Sequence, residues 1–194
     1  TNGHVSETNS HAFHFGRYLF MQNGSIGGFQ VIKRALRMRL SDSIYDWIRG
    51  ETDSEHFFAL FLERLNLKGE EITCESMAVA LRGALSDLKE LLNEHGITTP
   101  TFLNVVITDG DAILATRYAT DPELQPHTLY FSKGSKFECI EGVCRMTQTD
   151  PEDHTVLIVS ERLTDVVEDW HKVPANHLVS VHPDLSVKVE PVEV

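Results

Sequence analysis

Apolar residues recur along this chain with two different periods, and the period changes near Pro100. From Phe29 to Leu40, the residues Phe29, Ile32, Leu36 and Leu40 return at helical spacing, with Lys33, Arg34, Arg37 and Arg39 between them. That pattern predicts an amphipathic helix whose basic face is solvated. A second helix opens at Thr52-Asp53-Ser54-Glu55, with Thr52 as N-cap and Glu55 as the third helical residue of a capping box. It runs through Phe57, Phe58, Phe61, Leu62 and Leu65, and this spacing assigns the phenylalanines to core rather than to a base-stacking surface. The longest helix spans about Glu75 to His95: Met77, Leu81, Ala84, Leu85, Leu88, Leu91 and Leu92 form one stripe, and Gly96 supplies the stop.

Ahead of the helices, Thr1 to His14 reads as a polar loop. Phe15 to Met21 reads as a short buried strand that Asn23-Gly24 ends in a tight turn. Beyond Pro100 the strands follow one another. Phe102 to Thr108 and Ala112 to Tyr118 flank Asp109-Gly110-Asp111, a hairpin signature. Thr128 to Ser132 comes next, then Lys136 to Ile140 with Val143 to Thr147 around Glu141-Gly142, Thr155 to Ser160, Asn176 to His182 and Ser186 to Val192. One strand, a block of helices and a run of antiparallel strands predict an α+β fold with helices packed on a sheet. No internal repeat or low-complexity segment interrupts it.

With 194 residues, 41% of them hydrophobic, the chain is expected to form one domain or most of one. Its 29 acidic against 17 basic residues give a formal charge of −12, which repels phosphate backbones and directs attention to small-molecule or protein partners instead of nucleic acid. No apolar run approaches the roughly 18 residues of a membrane span. The polar start is no signal peptide, so the expected location is cytoplasmic and no membrane association is expected. Three cysteines make no disulfide framework. Cys139 and Cys144 should face each other across their hairpin, as reduced packed thiols or, in the alternative, as a disulfide or half a zinc site. His4, His11 and His14 lie close together, but no Glu or Cys completes a zinc set, so no metal is expected. Ser160 ends an apolar strand without a Gly-x-Ser-x-Gly elbow, which argues against a serine hydrolase.

The segments most specific for chemistry occur in order within the first 55 residues. They are Ser6-Glu7-Thr8-Asn9-Ser10-His11, Met21-Gln22-Asn23-Gly24-Ser25-Ile26-Gly27-Gly28-Phe29 and Thr52-Asp53-Ser54-Glu55. Alone, Asn23-Gly24 is an ordinary turn dipeptide and Asp53 a helix-dipole partner. Together the three segments resemble class II glutamine amidotransferases. The nearest branch is the one acting on γ-glutamyl compounds, which includes the small subunit of the fungal glutathione-degradation amidotransferase and the bacterial ergothioneine-pathway γ-glutamyl hydrolase. Ala115-Thr116-Arg117-Tyr118, Leu129-Tyr130-Phe131-Ser132 and Val159-Ser160-Glu161-Arg162-Leu163 extend the resemblance over nearly the whole chain.

The resemblance implies an αββα sandwich of the N-terminal-nucleophile hydrolase type. It also implies cleavage of a γ-glutamyl amide by an N-terminal cysteine whose own amine is the base. Asn23 and Gly24 then correspond to the oxyanion-hole pair, through a side-chain NH₂ and a backbone N–H. Asp53 corresponds to the acceptor of the substrate's α-ammonium, and Thr1 to a threonine lining the glutamyl pocket. The cysteine, and the arginine that clamps the α-carboxylate, are not among residues 1–194. By this resemblance the chain is expected to be the C-terminal portion of the domain and inactive alone. Gln22 stands where the family usually has His. The implied substrates are glutathione, a γ-glutamyl peptide or glutamine. No cofactor is implied, and a peptidase-like partner subunit or a homo-oligomer is. Two alternatives stand beside this reading: a catalytically inactive amidotransferase-fold subunit acting in binding or regulation, and Thr1 itself as a mature nucleophile, disfavoured because loop residues follow it.

Overall fold

The structure is a computed structural model and describes residues 6–65, 72–140, 142–147 and 154–194. A three-residue β1 (Phe13–Phe15) folds back onto β2 (Tyr18–Ser25) through Gly16-Arg17. Four helices follow: α1 (Phe29–Arg37), α2 (Asp42–Trp47), α3 (Asp53–Leu65) and α4 (Cys74–Glu94). The remainder is β-structure, comprising β3 (Phe102–Thr108), β4 (Ile113–Ala119), β5 (Tyr130–Gly134), β6 (Lys136–Ile140), β7 (Val143–Thr147) and β8 (Thr155–Val159). It closes with β9 (His171–Lys172), β10 (His177–Val181) and β11 (Val187–Pro191).

The helix ends show why the chain breaks where it does. At the start of α4, the Thr73 side chain accepts the Ser76 N–H while the Ser76 hydroxyl accepts the Thr73 N–H, a reciprocal cap. At its far end Gly96, at φ +63°, sends its N–H to Asn93 O, and Ile97 sends its own to Leu92 O. This closure needs a left-handed residue, and glycine takes that conformation without strain. The first helix stops at Arg37, short of the expected Leu40, and α2 begins five residues later. With six residues and one buried side chain, Ile44, α2 is too short to carry a readable period. At α3 only half of the expected capping box forms. The Glu55 N–H donates to Thr52 Oγ1, but the Glu55 carboxylate accepts from Arg49 and Gly50 N–H.

The main sheet has the order β1-β2-β3-β4-β10-β11, antiparallel at every pairing. Alternation gives it two faces. Phe20, Leu103, Val105, Ile107 and Leu114 join the helices in one core, where Phe20 stacks on Phe58 at 5.0 Å and Phe57 and Phe61 are fully buried. On the other face Ala115 and Val179 pack with Leu129, Phe131 and Val173, which lie in and beside a three-stranded sheet of order β8-β5-β9. Strands β6 and β7 form a separate hairpin. The fold is α+β with antiparallel sheets, as expected. The described residues supply one helical layer and two sheets of the αββα sandwich.

Two local expectations are corrected. Asn23-Gly24 is not a turn: β2 runs through both residues, pairing them with Asn104 and Leu103. Cys139 and Cys144 are opposite each other, as the hairpin required, but joined as a disulfide rather than held as free thiols.

A buried histidine yields a pH prediction. His56 Nδ1 lies 2.7 Å from Thr52 O and, as N–H, donates to it, while Nε2 accepts from Arg37 Nε at 2.8 Å. Burial pushes its pKa from 6.5 down to about 4. Between those values the unfolded chain binds a proton that the folded chain refuses, so stability is lost as pH falls through this window. Urea denaturation should show a loss of about 2 kcal/mol from this group between pH 7 and pH 5. His56→Gln should flatten that part of the dependence. An unchanged slope in the variant would show that other groups carry it.

Candidate active site

A cavity of about 590 Å³ opens on the face of the main sheet away from the helices. Its floor is formed by outward-facing residues of two neighbouring strands, Met21 and Asn23 of β2 and Asn104 and Val106 of β3. Its opposite wall is Leu129, just before β5, with Ile158 and Val159 of β8 and the following loop through Leu163. Thr128 Oγ1 donates to Ser160 O at 2.8 Å and ties this loop to the β5 side. His11 also lines the cavity. Burial holds its pKa below the ordinary value, which favours the neutral imidazole, and its ring lies edge-on to Phe13.

The sequence places Asn23 here because period-2 alternation sends Phe20 toward the helices and Met21 and Asn23 toward the cavity. Gly24 follows at φ +132°, with β3 so close that a Cβ would collide with the Phe102 carbonyl oxygen. Glycine is therefore required by a close approach of backbones, not by a turn. Gln22 is buried beside them, and neither Oε1 nor Nε2 has a partner among the described residues, so it lends no hydrogen bond to the Asn-Gly pair.

Asp53 is not among the residues lining the cavity. It is 1% exposed at the first position of α3, where Oδ2 accepts the Ile26 N–H at 2.8 Å and Oδ1 the Ser54 N–H at 3.1 Å. It thus fixes the segment that immediately follows Asn23-Gly24. The Gly27 N–H is held in turn by Thr101 Oγ1 at 2.9 Å. Thr1 and His4 lie outside the described residues. Among the described residues no group of three His, Cys, Asp or Glu side chains could hold a metal ion, and no helix is long and apolar enough to cross a membrane.

A polar row crosses the sheet in register: Asn23 opposite Asn104, Asn104 opposite Arg117, and Arg117 opposite His177. Arg117 is 4% exposed and has no carboxylate partner among the described residues. Its Nε donates to His127 O, one Nη to Val173 O and the other to Pro126 O. Burial lowers its pKa from the ordinary guanidinium value. Asn104 Nδ2 reaches the same loop, at His127 O and Thr128 O. Sequence reasoning gave Asn104 no role, and reached Arg117 and the Ser160–Leu163 wall only through motif resemblance. The available signal was one asparagine inside the apolar run Phe102-Leu103-Asn104-Val105-Val106-Ile107.

An antiparallel sheet with helices on one face, a second sheet on the other and an Asn-Gly pair at the intersheet cavity has the architecture of an N-terminal-nucleophile hydrolase. The chain belongs to the class-II glutamine amidotransferases, whose family model matches residues 1–191. It is 35% identical over 193 residues to the probable glutamine amidotransferase DUG3 of Saccharomyces cerevisiae, an alignment covering 93% of this chain and 54% of the yeast protein. The chain therefore spans about half the length of that relative. Among solved structures, a glutamine aminotransferase class-II domain protein from Silicibacter pomeroyi superposes with a TM-score of 0.73 at 25% identity, over 97% of this chain and 72% of that one. A predicted glutamine amidotransferase from Pseudomonas aeruginosa gives 0.65 at 22% identity, over 96% and 67%, which supports the fold alone.

The backbone contact at Gly24 is testable. Gly24→Ala forces a Cβ against Phe102 O in a conformation that L-residues resist, and should destabilise the chain by about 2–4 kcal/mol, read from urea midpoints. A loss below about 0.5 kcal/mol, the level of an ordinary surface substitution, would show that β2 and β3 separate freely there.

Proposed function

We propose that the full-length protein carrying this chain hydrolyses a γ-glutamyl amide, in glutathione, a γ-glutamyl peptide or glutamine, through an N-terminal cysteine nucleophile. Asn23 and Gly24 serve as oxyanion hole, Asp53 receives the α-ammonium, and Thr1 lines the glutamyl pocket. The observation that carries this reading is the Asn23 side chain standing in the intersheet cavity beside a glycine that the strand contact requires. A preorganised amide donor aimed at a developing oxyanion lowers the barrier more than it strengthens ground-state binding. Asp53 is a buried carboxylate bonded to two backbone N–H groups, and no basic side chain pairs with it among the described residues, so an α-ammonium would meet a charge that no side chain neutralises. The proposed setting is cytoplasmic. A peptidase-like partner subunit or a second copy of the chain is the proposed assembly.

None of the three cysteines suits the nucleophile's role. Cys74 is buried with its thiol directed at Val181 O, and burial raises its pKa, while Cys139 and Cys144 are bonded to each other. Residues 1–194 alone should therefore release no glutamate from glutathione or glutamine, whereas the full-length protein should. Equal activity in both would overturn the assignment and bring forward Thr1. Activity in neither would favour an inactive subunit used in binding or regulation.

In the full-length enzyme Asn23→Ala should lower kcat by about 10²–10³ with little change in KM. Equal effects on both parameters would mean a ground-state role. Asp53→Asn should erode discrimination between γ-glutamyl substrates with free and N-acetylated α-amines. If both substrates are slowed alike, Asp53 acts only through its hold on Ile26.

A further inference from the structure

The cross-sheet row contains one atom that nothing accounts for. Asn104 is 5% exposed and lines the cavity, yet its Oδ1 is sealed from solvent without a hydrogen-bond donor among the described residues. The orientation of this amide is fixed by chemistry. Its nitrogen lies 2.9 Å from His127 O and 3.0 Å from Thr128 O, and only an NH₂ can donate to two carbonyls. Oδ1 must therefore be the atom turned away from that loop. Buried acceptors are almost always satisfied, so a donor is expected from a neighbour or a bound group.

The candidate donors are few. Arg117, the cross-strand neighbour on β4, directs all three nitrogens to the carbonyls of Pro126, His127 and Val173. Asn23, the cross-strand neighbour on β2, is solvent-exposed in the cavity, and no hydrogen bond among the described residues fixes its amide. Directly opposed residues of an antiparallel pair hold their Cβ atoms about 4.5–5.5 Å apart, within reach of two short amides.

We propose that Asn104 is the positioning residue for Asn23: with substrate in the cavity, the Asn23 amide turns so that one N–H donates to Asn104 Oδ1 and the other faces the reacting carbonyl oxygen. The inference rests on the reading of Asn23 as an oxyanion donor. A free asparagine amide can rotate to present either oxygen or nitrogen to the cavity. An oxygen presented to a developing oxyanion repels it, so turnover depends on which end is turned outward. Asn104 selects the NH₂ end. Its own hold is rigid because the His127 carbonyl it grips is also gripped by Arg117. The role is positional: Asn104 acts on the reaction through Asn23.

The test is a double-mutant cycle in the full-length protein, with kcat and KM measured for glutathione and glutamine. Asn104→Leu removes the acceptor at similar size. It should lower kcat about ten- to a hundredfold with KM within about twofold, and should have no further effect on kcat in the Asn23→Ala background. Should the leucine variant fail to fold, Asn104→Ser enters the same cycle with the same expectation. An Asn104 effect of equal size in both backgrounds, or one confined to KM, would overturn the positioning role while leaving the oxyanion assignment intact. An Asn23→Ala enzyme with unchanged kcat would instead overturn the oxyanion reading, and the positioning role with it.

Discussion

The buried N-terminus of α3 is the constraint on which the rest of the arrangement depends. Thr52, Asp53, Ser54 and Glu55 are all removed from solvent, an unusual concentration of polar groups that is stable only when each is bonded. Thr52 caps its own helix, Asp53 takes the Ile26 N–H, and Glu55 takes the N–H groups of Arg49 and Gly50. Burial, the largest influence on Glu55, raises its pKa against the lowering effect of those two bonds. The positive end of the helix dipole favours both carboxylates. One helix end thereby fixes two loops, and one of them follows directly on the end of β2 that bears Asn23 and Gly24.

The opposite face of the sheet is organised by a cation. Arg117 sits in the interior, where its partners among the described residues are three backbone carbonyls on segments that flank the second sheet. Carbonyl dipoles solvate the charge, and the charge in turn clamps Pro126 and His127 against the sheet. Because the same loop receives Asn104, the floor of the cavity and the start of its opposite wall are built on shared bonds. Packing at Ala115, Val179, Leu129, Phe131 and Val173 then closes the layer behind them.

Much of this architecture was legible in the sequence, and the failures share a cause. Long periodic segments were read well: α4 was expected at Glu75 to His95 and occupies Cys74–Glu94, and Phe102 to Thr108 matches β3. Short elements escaped, since six residues of α2 and two of β9 contain no full period. Asn23-Gly24 was misread locally because a glycine at positive φ serves a turn and a tight strand contact alike, and only the partner strand decides between them. The cavity was invisible for the same reason. Its lining comes from β2, β3 and β8, three segments well separated in sequence, and nothing in any one of them announces the others. The motif resemblance crosses that distance, because its motifs include both Asn23 and the Val159–Leu163 segment on the two sides of the cavity.

The outer strands of the main sheet have a further consequence. Strand β1 offers only three residues of edge, and β11 at the opposite side carries Lys188 bonded to Glu190, followed by Pro191, which has no N–H to donate. A six-stranded antiparallel sheet would otherwise be a template for indefinite lateral growth, each new chain pairing with the exposed backbone of the last. Among the described residues one border is three residues long and the other carries paired charges and a proline, so neither is a good template for continuous β-pairing.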